Sequence, residues 1–303
     1  MKIFKVSQKN IGLSIEEITT YFSVIDVIDE YVFVRSARKC DFLAYTKEVY
    51  DVLFETTIET LLSKIKKYTW NKKIKGTFCV RSIEFEKEIA TAIWHKLKKP
   101  KVDLKNPNTL IHFFFFENKV YCGIRKWINP HTFFERKAHL RPEFYPASLD
   151  PQLALAMVNL SRGKKIVDPF CGTGGILIEG AYSKRKMIGY DISKWMLEKC
   201  TANLKNYKLK VPTAVGDATK FIKKCDAIVT ELPFGKNTKS QDLVSLYTKF
   251  LENAARNTRR MVVSFPDFVD YNKLIRKTKW NVENDFAIYI HKSLTKHVVV
   301  MRR

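Results

Sequence analysis

The stretch of this chain best equipped for chemistry is IVDPFCGTGGILIEG, from Ile166 to Gly180. An apolar run of strand type delivers Asp168 and Phe170, a turn follows at Gly172, Gly174 and Gly175, and an apolar helical run begins at once. Glycines let a ligand approach the backbone, and the unpaired N–H groups at a helix start favour an anionic group. About twenty residues later IGYDIS ends a second strand on Asp191, with Ile192 beside it, at the place where an acid takes ribose hydroxyls. Asp217 and Ala218 follow a third strand in GDAT. Acids at successive strand ends around a glycine turn describe a nucleoside-cofactor site. A dinucleotide is the obvious competitor, but Leu177 stands where that fingerprint needs its third glycine, so another nucleoside cofactor fits better.

The elements that must position these residues form a regular series. After the proline-punctuated RPEFYPASLDP come helix QLALAMVNL, strand KIVD, helix GILIEGAY, strand MIGYD, helix WMLEKCTANLKNY, strands PTAV and CDAIVT, helix LVSLYTKFLENAA and strand RMVVSF. Alternating βα units of this kind make a doubly wound parallel sheet, and AIYIH with HVVVM reads as a closing antiparallel hairpin. Upstream, IFKV, SIEEITTYF and YVFVRS make a small α+β unit, with Ser14 and Glu17 at capping-box spacing. A second α+β unit contains a helix through LLSKIKKY, capped by Thr56 and Glu59, then GTFCVR, EIATAIWHKL, TLIHFFFF and KVYCGI, with Asn118 and Lys119 as the tight connection.

Composition bounds the partners. Among 303 residues, 54 Lys and Arg face 31 Asp and Glu, a formal charge of +23 that favours a polyanion. From Leu61 to Ile83 the charges are Lys64, Lys66, Lys67, Lys72, Lys73, Lys75 and Arg81, with no acid among them, and a second cluster runs Lys96, Lys98, Lys99, Lys101, Lys105. Either cluster alone reads as a solvated lysine face; two beside one α+β unit make a phosphate-tracking surface the stronger expectation. No apolar run approaches the roughly 18 residues of a membrane span, and MKIFKVSQKN lacks a signal-peptide core, so a cytoplasmic location is expected. The six cysteines stand singly with no CxxC pair, and the histidines show no HxxxH or HExxH spacing; reduced thiols and no metal are expected.

The segment DPFCGTGGILIE resembles the methyltransferase motif of the RNA guanine-N2 methyltransferases. That resemblance implies a Rossmann-like class I methyltransferase of α/β class, with S-adenosylmethionine as cofactor. In that family the second-strand acid binds ribose, the third binds the adenine amine, and the glycine turn faces the methionine part. Those roles fall on Asp191, Asp217 and Asp168 with Gly172 and Gly174, with Phe170, Ile192, Ala218 and Glu231 counted in the same pocket. PASLDPQLA, from Pro146 to Ala154, is similar to the connector that folds over the methionine carboxylate, which brings in Ser148; a plain helix N-cap segment is the alternative.

After the fourth strand comes TELPFGKNTK, from Thr230 to Lys239. In related amino-methyltransferases an Asp or Asn, two prolines or near-variants and an aromatic stand here. An exocyclic guanine amine is a poor nucleophile because its lone pair is delocalised, so a useful site accepts its N–H bonds and turns the lone pair toward the methyl group. The resemblance assigns this to Glu231 and the carbonyl of Leu232, with Pro233 stiffening the turn and Phe234 stacking on a flipped base. Glu and Leu replace the commoner Asp and Pro, and the extra methylene of Glu231 moves the acceptor unless the turn compensates.

Residues 51–135 resemble a THUMP domain through FCVR, Ala90 and Ile93, the run from Lys101 to Phe115, and KVYCGI. The expected organisation is a ferredoxin-like domain at 1–50, THUMP at 51–135, a linker at 136–152 and the methyltransferase domain at 153–303. Lys64, Lys67, Arg81, Lys99, Lys101 and Arg125 are the expected RNA contacts. The ordered combination looks like the archaeal tRNA guanine-10 methyltransferases, which form N2-methyl- and N2,N2-dimethylguanosine, and GKNTK followed by LVSLY is similar to what they carry after the target motif. The resemblance implies tRNA as partner and leaves a small activating protein subunit open. Relatives acting on guanine-6 of tRNA or on ribosomal RNA, a noncatalytic RNA-binding protein and a DNA adenine-N6 methyltransferase are the alternatives; the THUMP-like half speaks against the last.

Overall fold

Among the described residues of the computed structural model, which are all but 147, 221 and 235–239, two seven-stranded sheets organise the chain. One unit comprises residues 1–41 and 46–130, the other residues 42–45 and 131–303.

The first unit runs β1 (Lys2–Val6), α1 (Ile11–Thr19), β2 (Val24–Ile28), β3 (Tyr31–Val34), β4 (Thr46–Thr57), α2 (Leu61–Lys67), β5 (Phe78–Ser82), α3 (Glu86–Trp94), β6 (Thr109–Phe116) and β7 (Lys119–Ile128). Its sheet has the order β2-β3-β1-β4-β7-β6-β5. The boundary expected at residue 50 falls inside β4, which pairs with β1 through Thr46 to Asp51 and with β7 through Glu48 to Thr57. One sheet therefore serves both α+β units. Side chains alternate across it: Ile3, Phe33, Tyr50, Phe114 and Tyr121 cluster together, while Phe54, Ile65, Trp70, Ile89, Ile111 and Phe113 pack with α2 and α3.

Both capping boxes read from the sequence are absent. α1 begins three residues before Ser14, whose hydroxyl donates to the carbonyls of Ser7 and Asn10, and Thr60 rather than Thr56 precedes α2. Ser7 instead caps a short 3-10 turn at Gln8–Asn10. The hairpin between β6 and β7 turns on Glu117 and Asn118, because Phe116 already pairs with Lys119.

The second unit runs α4 (Pro151–Leu160), β8 (Lys165–Asp168), α5 (Gly175–Tyr182), β9 (Lys186–Asp191), α6 (Lys194–Asn206), β10 (Thr213–Val215), β11 (Ala227–Glu231), α7 (Ser240–Asn257), β12 (Arg260–Pro266), α8 (Tyr271–Ile275), β13 (Asn281–His291) and β14 (Leu294–Arg302). The order β10-β9-β8-β11-β12-β14-β13 is parallel except for β14, which enters antiparallel between β12 and β13. This is the doubly wound Rossmann-like sheet, and the order reverses at β8, so the crevice beyond its carboxyl end is where such sheets take ligands. α7 shows why the helices hold: Leu243, Tyr247, Phe250, Leu251 and Ala254 recur at helical spacing and are buried against the sheet. Asp150 caps α4 by accepting from the N–H groups of Gln152 and Leu153, with Pro151 in the first turn.

Candidate active site

The glycine turn between β8 and α5 is held open by backbone shape. Gly172 has φ +51° and Gly174 φ +87°, the left-handed region that disfavours side chains. A Cβ on Gly174 would lie 2.8 Å from Cys200 Sγ, whereas one on Gly172 would meet nothing within 4 Å. Gly174 is therefore required for packing against α6, and Gly172 for leaving space above the turn.

The acids at the strand ends converge on this turn. Asp191 accepts from the Gly172 N–H at 2.9 Å and from the Ser193 N–H at 2.9 Å, so it ties the end of β9 to the turn. The Gly216 N–H donates to the Asp191 carbonyl at 3.0 Å, which brings Asp217 alongside. Asp217 accepts from the Thr219 N–H and hydroxyl, and those bonds hold its carboxyl below the ordinary range. Ile192 is 72% exposed beside these acids, Ala218 is buried, and Phe170 packs edge-on against Phe250.

Asp168 is 1% exposed and accepts from the Thr230 hydroxyl at 2.6 Å and the Phe170 N–H at 3.3 Å. Burial pushes its carboxyl up to about 7 even though both hydrogen bonds pull the other way. The connector before α4 reaches the same turn: the Ser148 and Thr173 hydroxyls lie 3.2 Å apart, and buried Asn203 donates to the carbonyls of both Glu143 and Thr173. The Ser148 hydroxyl thus lies beside the glycine turn, while Asp150 supplies the helix cap.

The target turn departs from expectation in one respect. Glu231 ends β11 with its Oε1 2.5 Å from Lys296 Nζ, in an ion pair whose side chains are 16% and 6% exposed. The same Nζ lies 5.1 Å from the centroid of the Phe234 ring, which also meets Phe268 edge-on. Leu232 is buried in the core with its N–H donating to the Ser264 carbonyl, and the Pro233 carbonyl accepts from Tyr247 at 2.8 Å. Burial raises the Glu231 carboxyl above the ordinary range, and Lys296 opposes that rise through its charge and its hydrogen bond. Sequence reasoning missed Lys296: it lies 65 residues from Glu231, inside a strand read only as part of a hairpin. The stretch GKNTK lies outside the described residues.

In the first unit, Lys64 and Lys67 are exposed on α2, and Lys99 and Lys101 are exposed beyond α3. Asn71 draws the two basic clusters together, donating to the Lys96 carbonyl and accepting from the Lys98 N–H. Arg81 donates to the Leu104 carbonyl and Arg125 pairs with Glu48 at 3.0 Å, whereas Lys64 Nζ lies over the Phe54 ring, 5.8 Å from its centroid. Among the described residues, no helix is long and apolar enough to cross a membrane.

Comparison with known proteins agrees with the Rossmann-like fold and the THUMP-like unit. Residues 138–296 match the RMKL-like methyltransferase domain and residues 55–125 the THUMP domain. The chain is 31% identical to the tRNA (guanine(10)-N2)-dimethyltransferase of Methanothermobacter thermautotrophicus, over 93% of this chain and 91% of that protein. It is 33% identical to the enzyme of that name from Pyrococcus abyssi, over 80% of this chain and 79% of the relative. The fold is shared with TrmN from Thermus thermophilus at a TM-score of 0.57 and 18% identity, covering 100% of this chain and 99% of that one. The chain belongs to the family of the tRNA (guanine(10)-N2)-dimethyltransferases, proteins that join a THUMP domain to an RMKL-like methyltransferase domain.

Proposed function

We propose that this protein is an S-adenosylmethionine-dependent tRNA methyltransferase acting on the exocyclic N2 amine of guanine, at guanine-10, to give N2-methyl- or N2,N2-dimethylguanosine. The carrying observation is the set of strand-end groups Asp168, Gly172, Asp191 and Asp217 beside the turn from Glu231 to Phe234, in a chain that matches relatives of that name over 79% to 91% of their length. The residues present fit the cofactor. Gly172 leaves open space above the turn, Asp191 and Asp217 stand side by side for ribose and adenine amine, and exposed Ile192 offers an apolar surface for the base. Ser148 and the start of α5 are suited to the methionine end.

When bound, S-adenosylmethionine supplies a methyl group on a sulfonium, whose sulfur keeps the bonding pair while the guanine N2 lone pair takes the carbon. The chain's own part is to orient the amine. The Glu231 carboxylate and the Leu232 carbonyl accept the two N–H bonds, which turns the lone pair out of the ring, and the departing N2 proton passes to Glu231. Phe234 stacks on the flipped guanine, an interaction worth about 1 to 3 kcal/mol. The lysines of the first unit hold tRNA phosphates.

Transfer of labelled methyl from S-adenosylmethionine to unmodified tRNA, with duplex DNA as control and mass spectrometry of the product nucleosides, tests the reading. The expected product is N2-methylated guanosine from tRNA alone. A methyl on adenine, on DNA, or on no nucleic acid at all overturns it.

A further inference from the structure

We propose that Lys296 is a positioning residue for methyl transfer: its ammonium holds Glu231 as an aimed carboxylate and braces the Phe234 ring against which the base stacks. The proposal rests on the functional reading above and extends it to a residue in β14.

Register shows how the contact arises. Glu231 pairs with Ser264 in β12, and Lys296 pairs with Pro266 at the carboxyl end of the same strand. From there Nζ reaches Glu231 Oε1 at 2.5 Å and lies 5.1 Å from the Phe234 centroid. One cation thus touches both groups that would face the substrate. Burying two charges costs several kcal/mol each, and an apolar pair of similar volume packs a strand end as well, so stability alone does not account for the pair. A fixed, charged acceptor does.

The surroundings of Glu231 otherwise oppose its charge. Asp168 on β8 is close enough for the two acids to repel, and the Tyr247 phenol on α7 is kept protonated partly by Glu231. Among the described residues, Lys296 supplies the opposing positive charge at this turn. Without it, burial and Asp168 would favour the protonated acid, which has lost acceptor capacity and cannot take the amine proton. The pair lowers the basicity of Glu231, but an amine whose lone pair is delocalised becomes strongly acidic once methylated, so a weak base suffices.

The experiment compares the parent, Lys296→Met, Lys296→Arg, Glu231→Gln and the double variant Glu231→Gln/Lys296→Met, each first checked for an intact fold by thermal unfolding. The carboxyl resonance of Glu231, assigned in glutamate-labelled protein by its loss in Glu231→Gln, is titrated without substrate. Single-turnover methylation of tRNA is then followed from about pH 6 to about pH 9. In Lys296→Met the titration of Glu231 should move to higher pH than in the parent, because burial then acts without the opposing ammonium. The rate should then fall about tenfold to a hundredfold near pH 7 and recover as pH rises, because only the ionised carboxylate accepts the amine proton. Lys296→Arg should restore most of the rate, and Lys296→Met should add no pH-dependent loss once Glu231 is Gln. A Glu231 titration that ignores Lys296→Met, or a rate loss with an unchanged pH profile, overturns the proposal. Failure of the parent to methylate guanine would overturn the functional reading instead, with the titration still deciding the pair.

Discussion

Asp168 shows what one buried acid costs and what it does. Its carboxyl is 1% exposed and pushed up to about 7 by burial, so between the unfolded pKa near 4 and about 7 the folded chain holds a proton that the unfolded chain has lost. Stability from this group is therefore present at low pH and declines as pH rises through that window. Asp168→Asn keeps an oxygen for the Thr230 hydroxyl and carries no charge at any pH. It should raise the stability of the cofactor-free protein by up to about 4 kcal/mol near pH 8 and by less than half of that near pH 5. Thermal unfolding at the two pH values checks this, and an equal change at both would mean that titration of Asp168 is not the cause. The types and order of Asp168, Asp191 and Asp217 were legible in the sequence because strand ends and glycine turns are local features. The partner of Glu231 was not, because it depends on two intervening strand pairings that bring residue 296 to residue 231.

Element by element, the methyltransferase half was the more legible, since each βα unit announces itself within about a dozen residues. GILIEGAY and KIVD occupy the residues read for them. The first unit was harder to read. β2 and β4 went unread because VIDVI and TKEVYDVLFETT mix charged and apolar residues without clean alternation, and because the cut at residue 50 divided a single strand. Ser14 and Thr56 had the right spacing for capping boxes yet lie inside a helix and a strand, since spacing alone does not fix where an element begins. The support of α5 is equally non-local. Arg136, in a short 3-10 turn, grips Glu179 through Nε at 2.8 Å and Nη2 at 2.7 Å, and both are buried. Arg136→Met would leave a buried carboxylate on the helix that begins at the glycine turn. We expect a loss of about 3 kcal/mol or more in urea unfolding, with much of it recovered in Arg136→Met/Glu179→Leu. A double variant no more stable than the single would show that the pair's value lies in packing and not in charge.

At the scale of the whole molecule, the excess of 23 positive charges becomes informative only once it is known which cations already have partners. Arg81 and Arg125 are engaged within the first unit, whereas Lys64, Lys67, Lys99 and Lys101 project from segments that Asn71 ties together. We therefore propose those four lysines as the better phosphate ligands. Deleting the amino-terminal unit is a poor test of this, because residues 42–45 belong with the second unit: Gln152 donates to the Ala44 carbonyl and Asn159 to the Phe42 carbonyl. Replacing all four lysines by Gln leaves those bonds in place. Affinity for tRNA should fall steeply with salt in the parent, by roughly tenfold to a thousandfold between about 50 and 200 mM, because bound phosphates release counterions. In the fourfold variant, binding should weaken at low salt and the logarithmic salt slope should drop by about one for each phosphate that is no longer neutralised. Filter-binding titrations at several salt concentrations measure both quantities, and calorimetric titration of S-adenosylmethionine should give the same affinity for parent and variant. A variant that binds tRNA with the parent's slope would remove this surface from the RNA path, while one that also failed to bind the cofactor would point to damage to the fold and not to the absence of phosphate ligands.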